Sequence, residues 1–264
     1  GRATAERAWP GRPRGGGRHD RGGVREGSDR VGASDPGADD RYLQATPLDP
    51  LKPFLGYSAA SVAVSFGELC SVLERSGSTT SRLAKVAIIS EYLRRLGEDD
   101  LGIAARFLSG DIYPKGSGLD AGVGYRMLLA VAAQVTGASE EELLRVYKEH
   151  GDLGKTLEEV LSSRRPAQSP LVPAEPLSLR EVYDEFVRLA KISGEGSYQR
   201  KMGRLRGLLM SSSPLEAKYL AKLLLGELRT GAVEGVVEQA IAEAFGARPE
   251  DVKRARLLTG DLGE

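Results

Sequence analysis

The chain is poor in the residues that most often carry chemistry. One cysteine among 264 residues rules out an intrachain disulfide framework and a cysteine-rich zinc site. Cys70 stands among Leu69, Val72 and Leu73, the setting of an inert core thiol, and such cysteine usage fits a reducing cytoplasm. There is no Gly-x-x-x-x-Gly-Lys-Ser/Thr loop to cradle a nucleotide. His150 has no Ser, Cys or carboxylate constellation at a telling spacing and reads as a residue of a helix C-terminus. No apolar run approaches the length needed to cross a bilayer. Excess charge is also missing: Lys plus Arg number 37 and Asp plus Glu number 37. No global field attracts polyanions, and a nucleic-acid surface has to be local. Alternating runs of Val, Ile, Thr and aromatics are absent, while the long segments repeat their apolar residues near every 3.6 positions. The fold class expected is all-α.

The first 41 residues contain no Leu, Ile, Phe or Lys, and Gly and Arg dominate them. Such a segment cannot bury enough apolar surface to offset its ordering entropy, so disorder is expected. Its scattered Asp and Glu nearly cancel the Arg charge, and no apolar core follows the basic residues as in a signal peptide. The first Met is Met127, and Arg without Lys is what a GC-rich frame read upstream of a gene would give. The expected natural start is near Val62 or Val64, from a GTG codon, with residues 1–63 an extension; sequencing the native N-terminus would check this.

What the chain does hold is an internal repeat. Leu225-Gly226-Glu227-Leu228-Arg229-Thr230-Gly231 reads as a helix end and a turn, and Gly231 opens a helix that continues through Ala240, Ile241 and Phe245. Gly122-Val123-Gly124 opens another that runs to Gly137. Each is followed by an acidic helix start and then, at identical spacing, by Gly-Asp-Leu-Gly: 151–154 in one copy and 260–263 in the other. Upstream, Ser78–Lys85 answers Gly194–Lys201, and Glu98–Asp111 answers Pro214–Glu227. The first copy carries extra residues around Tyr113–Gly118, which lengthen its turn. Two helical lobes are expected, 64–161 and 177–264, joined by a Pro-rich linker at 162–176 with Pro166, Pro170, Pro173 and Pro176. A Gly turn at a helix start offers free N–H groups and the positive helix end, a seat for phosphate. Asp152 and Asp261 are expected to cap helices after a Gly stop, not to hold metal.

Taken together, Phe66-Gly67-Glu68-Leu69, Ser78-Thr79-Thr80-Ser81-Arg82-Leu83, Gly122-Val123-Gly124, Gly226–Gly231 and Leu258–Gly263 resemble the N-terminal DNA-binding domain of ATP-dependent DNA ligases of archaea and some bacteria. The resemblance runs in order from Ser65 to Glu264. It implies two all-helical lobes related by approximate two-fold symmetry, whose paired turns meet the minor groove on either side of a nick. It implicates Arg229, Thr230, Gly231, Gly122, Val123 and Gly124 as DNA contacts close to the main chain, with Arg82, Lys85, Arg200 and Lys201 as further phosphate contacts. Its partner is nicked double-stranded DNA, bound by a cytoplasmic monomer with no membrane role. In that family a Lys-x-Asp-Gly lysine takes the adenylyl group from ATP, and no Lys here is followed two places on by Asp-Gly. The chain is therefore expected to need no cofactor itself and not to ligate alone. ATP and Mg²⁺ are implied for the full enzyme, whose catalytic domains are missing here. The other reading is a free-standing helical protein-interaction scaffold, in which the repeated turns only cap helices. Clustering of the five cations Arg82, Lys85, Arg200, Lys201 and Arg229 at the two Gly turns favours DNA; scattering favours the scaffold.

Overall fold

The computed structural model describes residues 64–164 and 176–264, so the expectations for residues 1–63 and for most of the linker lie outside the described residues. Eleven α-helices form among them and no strand. The first copy contributes α1 (Phe66–Gly77), α2 (Arg82–Leu93), α3 (Glu98–Ser109), α4 (Tyr125–Thr136), α5 (Glu140–His150) and α6 (Leu153–Arg164). The second contributes α7 (Leu179–Lys191), α8 (Ser197–Ser211), α9 (Pro214–Leu225), α10 (Glu234–Phe245) and α11 (Pro249–Thr259). Serine hydroxyls set many of the starts. Ser65, Ser81, Ser139, Ser178 and Ser213 each accept a first-turn N–H, and Ser178 with Glu181 and Ser213 with Glu216 form reciprocal capping boxes. Gly97, shortly after α2 ends, is the cap residue that begins α3.

The two copies do not fold side by side as separate lobes. The two most extensive pairings run between them, α6 on α9 and α2 on α10, and α4 also lies on α8. Periodicity specifies an apolar stripe on a helix, and the stripes of α2, α4 and α6 find their match in the other copy, while α5 packs on α6 and α11 on α10 within their own copies. Residues 162–164 also continue α6 and do not begin a linker. Where the copies begin, Ser65 and Ser178 form an antiparallel bridge, with Phe66 N–H donating to Leu177 O at 2.7 Å and Leu179 N–H to Val64 O at 2.8 Å. An antiparallel bridge between equivalent cap residues is what an approximate two-fold requires. Beneath it Phe107 packs against Phe66, Phe186 and Tyr183 at centroid separations of 6.3, 5.7 and 6.5 Å. Cys70 is fully buried in this core, and burial pushes its thiol well up, as befits an inert residue.

The repeated Gly-Asp-Leu-Gly turns lock the copies together. Asp152 caps α6 through the Lys155 N–H at 3.0 Å, as expected, but it also forms a buried ion pair with Lys222 of α9. In the other copy Arg106 of α3 donates to Asp261 at 2.6 Å. Lys222 and Arg106 occupy equivalent positions of α9 and α3, so one device is used twice. The closing glycines permit the contact: a methyl group on Gly154 would sit 2.7 Å from Lys218 O, and one on Gly263 2.6 Å from Gly102 O. Both obstacles are main-chain oxygens, which cannot swing away. Gly154→Ala is therefore expected to cost about 1–3 kcal/mol of stability, read from denaturant melts, with unchanged helix content in native buffer. A wild-type midpoint would refute that packing.

Candidate nucleic-acid interface

Both helices that follow a Gly turn start without a side-chain cap. Gly124 begins α4 and Val233 begins α10, and neither start has a side-chain hydrogen bond. Two or three residues upstream, Gly122 at φ 57° and Gly231 at φ 68° take the left-handed conformation that side chains disfavour. Both glycines are exposed. The first two amides of each helix lack an intrahelical acceptor and lie at the positive end of the dipole.

The neighbouring helix starts reinforce that polarity. Arg82 at the first position of α2 donates to Gly235 O at 2.9 Å and to Gln239 at 3.1 Å. Near the far end Ser90 reaches Glu243 at 2.9 Å and Arg94 reaches Glu243 O at 3.1 Å. α2 and α10 thus run parallel, and their positive ends lie side by side. Behind each Gly turn stands a lysine. Lys85 Nζ donates to Thr230 O at 2.6 Å and to Ser76 O at 2.9 Å; Lys201 Nζ donates to Ala121 O at 2.6 Å. These are equivalent contacts of the two copies, because Ala121 and Thr230 each precede the left-handed Gly.

The structure therefore gathers Arg82 and Lys85 at the Gly231 turn and Lys201 at the Gly122 turn. Arg200 turns away, donating to Ser193 O at 2.8 Å and Glu195 O at 2.9 Å in the segment before its own helix. Arg229 takes the left-handed conformation at φ 49°, a strained choice for a residue with a side chain. Its guanidinium is 58 % exposed and pairs with Glu227 at 2.9 Å, an exchangeable surface contact. Thr230 and Val123 are buried: the Thr230 hydroxyl accepts from Ala232 N–H at 3.3 Å, so both side chains shape the turn from within. Gly124 is exposed beside Gly122.

Sequence reasoning missed the link between the two turns. Lys115, in the extra residues of the first copy, pairs with Glu234 at the start of α10, and Arg256 meets the same carboxylate at 3.3 Å. The Lys115 hydrogen bond holds Glu234 below the usual glutamate range, despite partial burial. Leu228 packs under Gly110, so the turns also touch through main chain and apolar atoms. A lysine in the one unequal segment of the repeat was the available signal. The α4 start has no acid in its first turn, and its exposed Arg126 makes no ion pair among the described residues. Among the described residues no group of three or more His, Cys, Asp or Glu side chains could hold a metal ion. No described helix is long and apolar enough to cross a membrane. His150 meets Glu159 at 2.5 Å, an ordinary partner for a helix-end histidine.

Comparisons with known proteins match this arrangement to one family. The family pattern described as DNA ligase N terminus matches residues 65–242. DNA ligase from Methanopyrus kandleri is 39 % identical over 198 residues, 75 % of this chain and 35 % of that protein. DNA ligases from Thermococcus fumicolans and Pyrobaculum arsenaticum are 36 % and 35 % identical over 76 % of this chain, covering 35 % and 34 % of their own lengths. The chain thus spans about a third of the length of the curated relatives it matches. Its helices, its paired Gly turns and its matched residues identify residues 65–242 as the N-terminal region of a DNA ligase, and the chain belongs to that family.

Proposed function

We propose that this chain binds duplex DNA without regard to sequence, seating at nicks as the N-terminal module of an ATP-dependent ligase. The sealing reaction would serve replication, repair and recombination. The observation that carries this reading is the pair of exposed, uncapped helix starts, each following a left-handed glycine and backed by a lysine. Bare glycine lets the sugar-phosphate backbone approach, the free amides donate to it, and nothing in the arrangement reads a base edge. Adenylyl transfer falls to other domains. ATP and Mg²⁺ are proposed for the full enzyme, since the sequence has no Lys-x-Asp-Gly motif.

Fluorescence anisotropy of the 264-residue chain with nicked, intact and single-stranded DNA at two salt concentrations tests the reading. Duplex binding that weakens with salt and ignores base sequence supports it; absence of binding at low salt sinks it. Arg229→Ala is expected to flatten the plot of log affinity against log salt by about 0.9, the share of one phosphate. That corresponds to about five-fold weaker binding at 0.15 M salt, even across sequences. An unchanged slope would remove Arg229 from the contact surface.

The interaction-scaffold reading has one observation in its favour. No residue of α11 is buried, and Leu257 and Leu258 are 65 % and 80 % exposed, with Phe245 of α10 also open. Single exposed apolar residues are common on monomers, so these weigh less than the paired turns.

A further inference from the structure

Four cationic residues are buried among the described residues: Lys85, Arg106, Lys218 and Lys222. Three have carboxylate partners inside the fold. Arg106 pairs with Asp261 and Glu264, Lys218 with Glu74 and Glu158, and Lys222 with Asp152. Lys85, only 9 % exposed, has none; its ammonium is held by two carbonyl oxygens. Lys201, the equivalent residue of the other copy, also has no ion pair and is held by Ala121 O. A buried charge without a counter-charge is costly, and the same fold meets that cost with acids at its other buried cations. At the two Gly turns neither lysine has an ion-pair partner among the described residues, although the Asp120 carboxylate accepts the Gly122 N–H at 2.8 Å and Glu234 is taken by Lys115 and Arg256.

The ammonium groups also stand where a side chain of the turn glycine would project. A methyl group on Gly231 would lie 3.0 Å from Lys85 Nζ, and one on Gly122 2.6 Å from Lys201 Nζ. Each glycine is exposed, so a chain of phosphates passing over the turn comes close to a positive charge it need not touch. We infer that the missing counter-charge is the DNA phosphate, and that Lys85 and Lys201 are twin positioning residues that hold each turn by its carbonyl and attract the backbone from behind it. This rests on the duplex-binding reading and replaces direct phosphate contact by these two lysines. It explains why both copies keep a lysine where neither side chain reaches the surface freely.

Lys85→Met and Lys201→Met remove each charge while keeping an unbranched chain of similar length. In the 264-residue chain both are expected to melt cooperatively, and each to lower the salt slope for intact duplex by about 0.9, weakening binding about five-fold at 0.15 M salt. Lys201→Arg, which keeps the charge, is expected to retain the wild-type slope. A merely structural lysine would change the melt, or the affinity at all salts alike, and leave the slope. Wild-type slopes in the folded Met variants would overturn the inference while the duplex-binding reading stood. Loss of cooperative melting in both Met variants would overturn it too, since the charges would then serve the fold itself. A wild-type chain that binds no duplex at low salt removes the reading beneath it.

Discussion

Residues 64–164, produced without the rest of the chain, are expected to give no cooperative thermal transition, and residues 176–264 to behave likewise. Mixing the two is expected to restore a single transition and the helical circular dichroism of the whole. The reason lies in where the apolar stripes go. Leu153, Leu157, Val160 and Leu161 of α6 are buried, and the most extensive neighbour of α6 is α9 of the other copy. Val86, Ile89 and Leu93 are buried on α2, whose most extensive neighbour is α10. Burying such a side chain stabilises by about 1.5–3 kcal/mol, so exposing these few removes as much as a whole domain's stability of about 5–15 kcal/mol. A cooperative melt of either half alone would refute the interlock.

That outcome marks the limit of what the sequence reveals. Fold class, helix starts and the doubled Gly turn follow from local rules: serine before an apolar run, glycine after one, and a period near 3.6. Which helix covers which stripe does not, because an apolar stripe carries no address. Leu83 illustrates the gap. It continues the apolar spacing of α2, yet it is 72 % exposed, since the parallel α10 covers a different side of the helix. Gly122 and Gly231 were readable as turn residues because a left-handed turn favours glycine, whereas the left-handed conformation of Arg229 was not. Lys85 and Lys201 were readable as cations near the two turns but not as ones held by main-chain carbonyls, Lys85 buried and Lys201 partly so, since no local pattern tells whether a lysine points out or back under a carbonyl. The ion pairs of Asp152 and Asp261 were concealed more thinly: superposing the repeats sets Lys222 on Arg106.

Asp152→Ala is expected to lower stability by about 3–5 kcal/mol, because it strands Lys222 without a counter-charge in a site where both side chains are about nine-tenths buried. Chemical denaturation at neutral pH measures it, and a loss below 1 kcal/mol would mean that water or another acid reaches Lys222. The pH dependence has a definite sign. Burial alone would push the Asp152 carboxyl up, but the Lys222 hydrogen bond and the Lys155 amide outweigh it and hold the group below its usual range. Its contribution is therefore complete above the unfolded value near pH 4 and is lost as pH falls through the lower folded value. Wild type and Asp152→Asn are expected to converge in stability on acidification, not on raising the pH.

The Lys115 bridge to Glu234 has a meaning of its own for handedness of engagement. A perfectly doubled clamp would sit on a duplex equally well in either direction, yet a nick has a hydroxyl on one flank and a phosphate on the other. The α10 start carries an acid neutralised from across the fold, while the α4 start carries an unopposed arginine and no acid. On the duplex-binding reading proposed above, the added turn residues would turn a palindrome into an arrow, giving the two ends of the site different names.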